Sequence, residues 1–198
     1  MVVQSKDPML RVPLEGSLVA LEPLEPRHED GLWEAAQESD WTWMPVDAGS
    51  SRESFGRLFQ WLLTNADNWV TFVIHRDGRS VGSSSFLEIR PEHRRLEIGF
   101  TWYARSEWRS GANVDAKLQM LEHAFERLEQ RRVEFKTDAR NERSRRALEA
   151  LPAQFEGVFR KHMLVRDGET RDSAYYSIVD DDWPDVRANL ERRLREHA

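Results

Sequence analysis

Hydrophobic positions along the chain recur with a period of two in some segments and of about 3.6 in others, which predicts alternating strands and helices. The clearest strand pattern is Val70, Phe72 and Ile74, and the Asp77-Gly78 that follows is typical of a hairpin turn. The predicted strands are 17–22, 70–74, 81–89, 96–103, 133–137, 155–165 and 174–179. The sequence therefore predicts a sheet of about seven strands.

Helical periodicity is strongest from Gly111 to Gln130, where apolar residues return on one face. The predicted helices are 27–39, 51–63, 111–130, 141–151 and 183–197. The strand over 96–103 passes through the long helix into the strand over 133–137, and such a connection is a right-handed parallel crossover. The fold class expected is α/β (α+β), a mixed and mostly antiparallel sheet flanked by helices, as a single domain over 1–198.

Composition excludes several classes of function. The 198 residues contain no cysteine, which excludes disulfides, thiolate zinc sites, cysteine-ligated iron–sulfur clusters and cysteine nucleophiles. The net charge of −6 argues against nucleic-acid binding, and no apolar run is long enough to cross a membrane. Residues 1–10 lack the apolar core of a secretory signal, so we predict a cytoplasmic protein. The six histidines lack the spacing of a zinc motif, and we predict no metal.

A candidate anion site lies at residues 105–113, between a strand and the start of the longest helix. Free N–H groups and the positive end of the helix dipole attract anions there, and Arg109 adds charge. The local pattern fits a pyrophosphate site, but taken alone it favours an ordinary strand-to-helix turn.

Four segments together resemble the GCN5-related N-acetyltransferases (GNAT), in particular the branch of the ribosomal-protein acetyltransferases RimJ and RimL. They are EIGFTW at 97–102, WRSGAN at 108–113, RVEFKTD at 132–138 and NERSRRAL at 141–148. FEG at 155–157 with Arg160, and Arg171-Asp172 before YYSI at 175–178, are similar to the same branch. The likeness extends over about residues 15–180, and the order of predicted elements agrees with the GNAT fold.

The resemblance implies acetyl-CoA as the acyl donor and an amine as the acceptor. It places the pantetheine arm on backbone groups of a splayed strand, over Ile98, Gly99, Phe100 and Thr101. The residues implied for the pyrophosphate are Arg109, Ser110, Gly111, Ala112 and Asn113, with Asn141 as a further CoA contact. The chain departs from the family loop at Trp108, where Gln or Arg is usual, and at Asn113. It also has Leu151-Pro152 where Leu-Gly is usual.

The catalytic residues implied or weighed are Ser144 and Glu97. Ser144 resembles the position that protonates the departing thiolate, but Asn141 and Ser144 can equally cap the helix that they precede. Glu97 ranks first as general base, with His93 and His162 as alternatives.

Trp41 and Trp43 either line the acceptor site or anchor the core. A set of basic residues, Arg140, Arg143, Arg145 and Arg146, either reaches the 3′-phosphate of CoA or forms a solvated helix face. The expected activity is transfer of an acetyl group to a protein N-terminal or small-molecule amine by direct attack. The alternative is a non-catalytic acyl-CoA-binding or regulatory module with the same fold. A homodimer is plausible on either reading.

Overall fold

An eight-stranded sheet forms the centre of the computed structural model, which describes residues 7–64 and 68–197. The strands are β1 Leu14–Glu15, β2 Ala20–Pro23, β3 Trp69–Arg76, β4 Arg79–Arg90, β5 Arg95–Tyr103, β6 Arg132–Asp138, β7 Gln154–Leu164 and β8 Thr170–Val179. Their order in the sheet is β1-β2-β3-β4-β5-β6-β8-β7. Every neighbouring pair is antiparallel except β5 and β6, which confirms the predicted mixed sheet and its parallel crossover.

Five α-helices of the described ranges flank the sheet. They are α1 Glu29–Gln37, α2 Arg52–Thr64, α3 Ala112–Glu122, α4 Glu142–Ala150 and α5 Trp183–Arg195. The predicted helix over 111–130 is too long, because the regular hydrogen bonding gives way to a π-turn over His123–Arg127 and Glu129 takes a left-handed φ of 50°. Within the described ranges, no helix is long and apolar enough to cross a membrane.

Two predicted strands begin three or more residues away from their start in the structure. The first long strand begins at Ala20 rather than residue 17, because Gly16 and Val19 close a turn through a 2.9 Å backbone hydrogen bond. The last strand begins at Thr170, four residues early, because its pairing with β7 extends to Leu164. The prediction that residues 1–10 lack a secretory signal concerns a segment of which residues 1–6 lie outside the described ranges.

The sheet separates two apolar clusters. One contains the inner face of α3 with Leu148 of α4 and Leu190 of α5, and the other lies beneath α1 and α2. Because β3 contributes Phe72 and Ile74 to the first cluster and Val73 to the second, it is buried on both faces, whereas its sequence pattern indicated one apolar face.

The pairing of strand β5 with both neighbouring strands changes half-way along its length. Its pairing with β6 ends at Glu97, after three residues, so the two strands splay beyond that point. Its pairing with β4 shifts between Ser83 and Ser85, and Phe100 has a left-handed φ of 49°, so β5 contains a bulge there. The bulge reverses the alternation, because Ile98 packs with α3 whereas Phe100 packs on the α1–α2 side.

Candidate active site

A cleft of about 1590 Å³ begins where β5 and β6 separate. It reaches from the start of α3 and α4 on one side of the sheet to the loop after α1 on the other. Beyond Glu97 the β6-facing edge of β5 has no ladder partner among the described residues. Unpaired backbone groups beside a cleft are suited to hold an extended ligand chain by hydrogen bonds. The predicted residues Ile98, Gly99, Phe100 and Thr101 all line this cleft.

Glu97 is the acid at the point of the splay. Its side chain is 2% exposed, and its Oε2 accepts a 2.7 Å hydrogen bond from the Lys136 ammonium. Burial raises the pKa of Glu97, while the charge and hydrogen bond of Lys136 act to lower it. A Cβ at Gly99 would lie 2.7 Å from Glu97 Oε1, so glycine is needed there for the carboxylate to occupy its place. The arrangement provides a carboxylate with raised proton affinity in the cleft.

The two histidines considered as bases do not line the cleft. His93 is exposed in the turn after β4, and its nearest acid is Glu92 at 3.9 Å. His162 is held by Ser173 Oγ, 3.1 Å from its Nδ1, and by the Tyr175 hydroxyl, 3.3 Å from its Nε2.

Lys117 is a functional candidate that the sequence analysis missed. It lies on α3, is 8% exposed, and donates to Thr101 Oγ1 at 3.1 Å and Ser84 Oγ at 3.3 Å. No acid bonds to it within the described residues, and burial lowers its pKa to about 7. A signal was present in the sequence, because Lys117 interrupts the apolar face between Val114 and Leu121.

The predicted anion site falls at the start of α3, where several backbone N–H groups are available. Gly111 has a φ of 87°, and a Cβ there would lie 2.9 Å from His197, so only glycine fits this turn without strain. The N–H groups of Gly111, Asn113 and Val114 have no partner in the described chain, whereas that of Ala112 donates to Ser110 Oγ at 3.2 Å.

The anion contacts at Ser110 and Ala112 stay a prediction that the structure does not favour, because these two residues are bonded to each other and neither lines the cleft. Arg109 lines the cleft as predicted, with a left-handed φ of 65°.

Trp108, the departure from the family loop, is stacked between two arginines. The guanidinium carbon of Arg143 lies 4.2 Å from its ring centroid and that of Arg105 lies 5.5 Å away. Arg143 also approaches Asp40 at 3.3 Å. Trp108 thus provides an aromatic surface that positions Arg143 in the lining of the cleft.

The other three arginines of the basic set have separate partners. Arg140 bonds to Asp138 and Glu169, Arg145 donates to the Tyr176 hydroxyl at 3.1 Å, and Arg146 faces Glu142 at 3.5 Å on the exposed helix. A solvated or locally bonded helix face accounts for these three.

Asn141 and Ser144 differ in what they do for α4. Asn141 is the cap, because its Oδ1 accepts from the Ser144 N–H at 3.1 Å. The hydroxyl of Ser144 makes no hydrogen bond with a described residue and lies in the cleft wall. The capping alternative therefore applies to Asn141, and the Ser144 hydroxyl is available to a ligand.

The two tryptophans of the loop after α1 have different environments. Trp41 is 5% exposed, packs against Trp102 with the ring centroids 5.1 Å apart, and donates from Nε1 to the Ala36 carbonyl at 2.9 Å. Its ring lies in the core and outside the cleft lining, which favours the core-anchor alternative over the predicted role in substrate binding. Trp43 lines the cleft as predicted. Arg166, in the turn after β7, donates to the carbonyls of Trp41 and Thr42 at 2.9 Å and holds this loop against the β7–β8 hairpin.

The family model described as an acetyltransferase (GNAT) domain matches residues 19–154, more than two thirds of the chain. The chain belongs to the GNAT acetyltransferase family. Members of this family use acetyl-CoA and act on an amine, so the splayed strands and the α3 N-terminus lie in an acetyltransferase fold.

Individual GNAT relatives agree with this assignment. N-acetyltransferase p20 of Bacillus licheniformis is 25% identical over 134 residues, which cover 68% of this chain and 74% of p20. A GCN5-related N-acetyltransferase from Brucella melitensis superposes with a TM-score of 0.86 and 30% identity, over 93% of this chain and 86% of that one. RimJ of Mycobacterium smegmatis, solved with a CoA disulfide, shares the fold with a TM-score of 0.72, 22% identity, and coverage of 91% and 92%.

Proposed function

We propose that residues 1–198 form one GNAT domain that transfers the acetyl group of acetyl-CoA to an amine by direct attack. The observation that carries this proposal is the splay between β5 and β6, which opens beside Glu97 and leads to free N–H groups at the α3 start. A donor chain in the splay, a base at its apex and an anion site at its end are the parts that acyl transfer from a phosphorylated carrier needs.

Acetyl-CoA, the donor, contacts the protein along its whole length, from the phosphates to the thioester. The N–H groups of Gly111, Asn113 and Val114 take the pyrophosphate, with Arg109 nearby. Arg143, positioned by Trp108, takes a further phosphate oxygen. The pantetheine arm lies along β5 from Thr101 to Ile98, and Asn141 contacts the donor near the α4 start. A backbone N–H at the Phe100 bulge polarises the thioester carbonyl, a contribution worth about 10²–10³ in rate elsewhere.

The chemical step forms a C–N bond and breaks the C–S bond. The amine nitrogen attacks the thioester carbon, and Glu97 accepts the proton that the ammonium acceptor must lose, directly or through water. Collapse of the intermediate expels the CoA thiolate, and the Ser144 hydroxyl passes a proton to the sulfur while it takes one from solvent water, so that it ends the step neutral. Lys136 positions the Glu97 carboxylate throughout.

The acceptor enters from the side of the sheet that carries α1 and α2. Trp43 lines the wall there and provides a flat apolar surface for the acceptor. The RimJ likeness favours a protein N-terminal amine, and the size of the cleft also admits a small-molecule amine.

The proposed base is tested with Glu97→Gln. We expect kcat to fall about 10²–10⁴-fold with the dissociation constant for acetyl-CoA little changed, and the rising limb of the pH profile to be lost. Glu88→Gln is the matched control, because Glu88 lines the same cleft but is exposed and bonded to Arg90 at 2.7 Å. An unchanged pH profile in Glu97→Gln contradicts the assignment.

The activity itself is tested by calorimetric titration of acetyl-CoA, followed by thiol release over a panel of amines and N-terminal peptides. Binding with amine-dependent thiol release is expected. Binding without release from any amine favours the non-catalytic acyl-CoA-binding module, for which the replacement at Trp108 is the structural argument. Absence of binding at millimolar acetyl-CoA contradicts both functions.

A further inference from the structure

Arg171, near the start of β8, is a buried guanidinium that the proposed mechanism does not use. Its side chain is 7% exposed and lines the cleft. Buried arginines normally satisfy several of their five N–H donors with acids or carbonyls, since desolvation of an unpaired charge is strongly unfavourable.

No described residue provides Arg171 with such a partner. Its Nε is fully enclosed and makes no hydrogen bond, and no ion pair with a described residue reaches its guanidinium. Burial accordingly lowers the pKa of Arg171, although a guanidinium stays protonated at any physiological pH.

The acids that influence Arg171 electrostatically are already held by other cations. Asp138 accepts from the Arg140 backbone N–H at 2.9 Å and from its Nη2 at 2.8 Å. Glu97 accepts from Lys136 at 2.7 Å. Tyr175, the remaining neighbour, has a pKa raised to about 12, mainly by burial, and carries no charge at neutral pH. The nearby acids therefore lower the cost of burying Arg171 without occupying its donors.

The location of Arg171 separates it from the phosphate site. Along β8, Ala174, Tyr176 and Ile178 face the cluster that contains α3, so Arg171, Ser173 and Tyr175 face the opposite side of the sheet. That side carries Glu97 and the Trp43 loop, where the acceptor enters. The anion that suits Arg171 is therefore not the pyrophosphate at the start of α3.

We propose that Arg171 binds a carboxylate carried by one of the two substrates of the transfer reaction. A planar guanidinium with free N–H groups matches a carboxylate by two parallel hydrogen bonds. The carboxylate has two sources: the acceptor amine, as in an amino acid, or the acyl group of the donor, as in the thioester of a dicarboxylic acid. The inference rests on the proposed function, since it assumes that both substrates meet in this cleft.

The test compares matched ligand pairs on the wild-type protein and Arg171→Met. In the donor arm, calorimetry compares succinyl-CoA with butyryl-CoA, which have the same acyl length and differ by the carboxylate. In the acceptor arm, thiol release from acetyl-CoA compares amino acids with their amides and 4-aminobutyrate with butylamine. Arg57→Gln is the control, because Arg57 also lines the cleft but is exposed and bonded to Glu53.

We expect the wild-type protein to prefer the carboxylate ligand in one arm, and Arg171→Met to reduce that preference about 10- to 100-fold, mainly through KM or the dissociation constant. Arg57→Gln retains the preference. The melting temperature of ligand-free Arg171→Met stays level or rises, because an unpaired buried charge is removed. If Arg171 had a purely structural role, its replacement would instead lower the melting temperature and reduce the turnover of all substrates alike.

Transfer with no carboxylate preference in either arm overturns the role of Arg171 and leaves the proposed function intact. A preference that survives in Arg171→Met overturns it as well. If Arg171→Met does not fold, the same ligand pairs are compared on the wild-type protein and Arg171→Lys. Arg171→Lys keeps the charge but cannot form the two parallel hydrogen bonds, so the same outcomes apply. If none of the three thioesters binds, the proposed function fails and the inference fails with it.

Discussion

Replacement of Lys117 by methionine is expected to stabilise the protein, in a manner that depends on pH. The ammonium of Lys117 is enclosed between α3 and the sheet, where its hydrogen-bond partners among the described residues are two hydroxyls and the Phe135 ring centroid lies 5.9 Å away. Methionine has a similar length and no charge. The two hydroxyls keep a partner after the change, because Ser84 Oγ and Thr101 Oγ1 lie 2.7 Å apart.

The magnitude follows from the pKa of Lys117, which burial lowers from 10.5 to about 7. The folded state therefore binds the proton less tightly than the unfolded chain does. Below pH 7 both states are protonated and the full destabilisation, about 5 kcal/mol, is present. As the pH rises from 7 toward 10.5, the folded state releases its proton first and the destabilisation decreases, to about 2 kcal/mol at pH 9.

The assay is urea unfolding of the ligand-free protein and Lys117→Met, followed by circular dichroism at several pH values from 6 to 9. The free-energy difference between the two proteins should decrease by about 3 kcal/mol over that range. Lys161→Met is the control, since Lys161 is exposed and its replacement should add no pH dependence. A difference that does not vary with pH would refute the reasoning, because Lys117 would then keep the same proton affinity in both states.

Three further changes test separate parts of the site. Gly99→Ala should lower kcat at least about 10-fold with smaller loss of acetyl-CoA affinity, because the new Cβ lies 2.7 Å from Glu97 Oε1; steady-state kinetics and calorimetry separate the two effects. Asn141→Ala should lower the free energy of unfolding by about 1 kcal/mol in urea titrations, since the α4 cap is lost, and an unchanged value contradicts the capping role. Trp108→Ala should weaken acetyl-CoA binding about 2- to 5-fold by calorimetry, because Arg143 loses the ring on which it stacks; an unchanged affinity means that Arg143 does not contact the donor.

The order of helices and strands could be predicted because each element carries its own periodicity. The helix over 111–130 was predicted too long because the π-turn at His123–Arg127 preserves an apolar surface while it changes the hydrogen bonding. The strand at Val70 was predicted to have one apolar face, because polar residues such as Thr71 alternate with its apolar ones. Short polar residues can nevertheless be buried on the other face when a hydroxyl partner is near, as Thr71 is.

The site was predictable where its chemistry lies in the backbone and less so where it depends on distant packing. Gly99 and Gly111 are visible in the sequence, and both positions lack room for a side chain. Trp41 and Trp43 could not be distinguished, because only the tertiary structure buries one of them. Arg171 alternates with core residues of β8 and so resembles an exposed residue, and only the fold around the cleft encloses it.

In the loop after α1, the residues that fix the path of the backbone differ from those that line the cleft. Trp41 anchors the loop from within the core, and Arg166 of the β7–β8 hairpin donates hydrogen bonds to two of its carbonyl groups. Trp43, Pro45 and Val46, which also line the cleft, take no part in either attachment, whereas Asp47 approaches Arg166 at 3.9 Å. If these residues face the acceptor as proposed, mutations there change which amine is accepted without loosening the loop. Acceptor preference can therefore drift during evolution more freely than the fold that supports it.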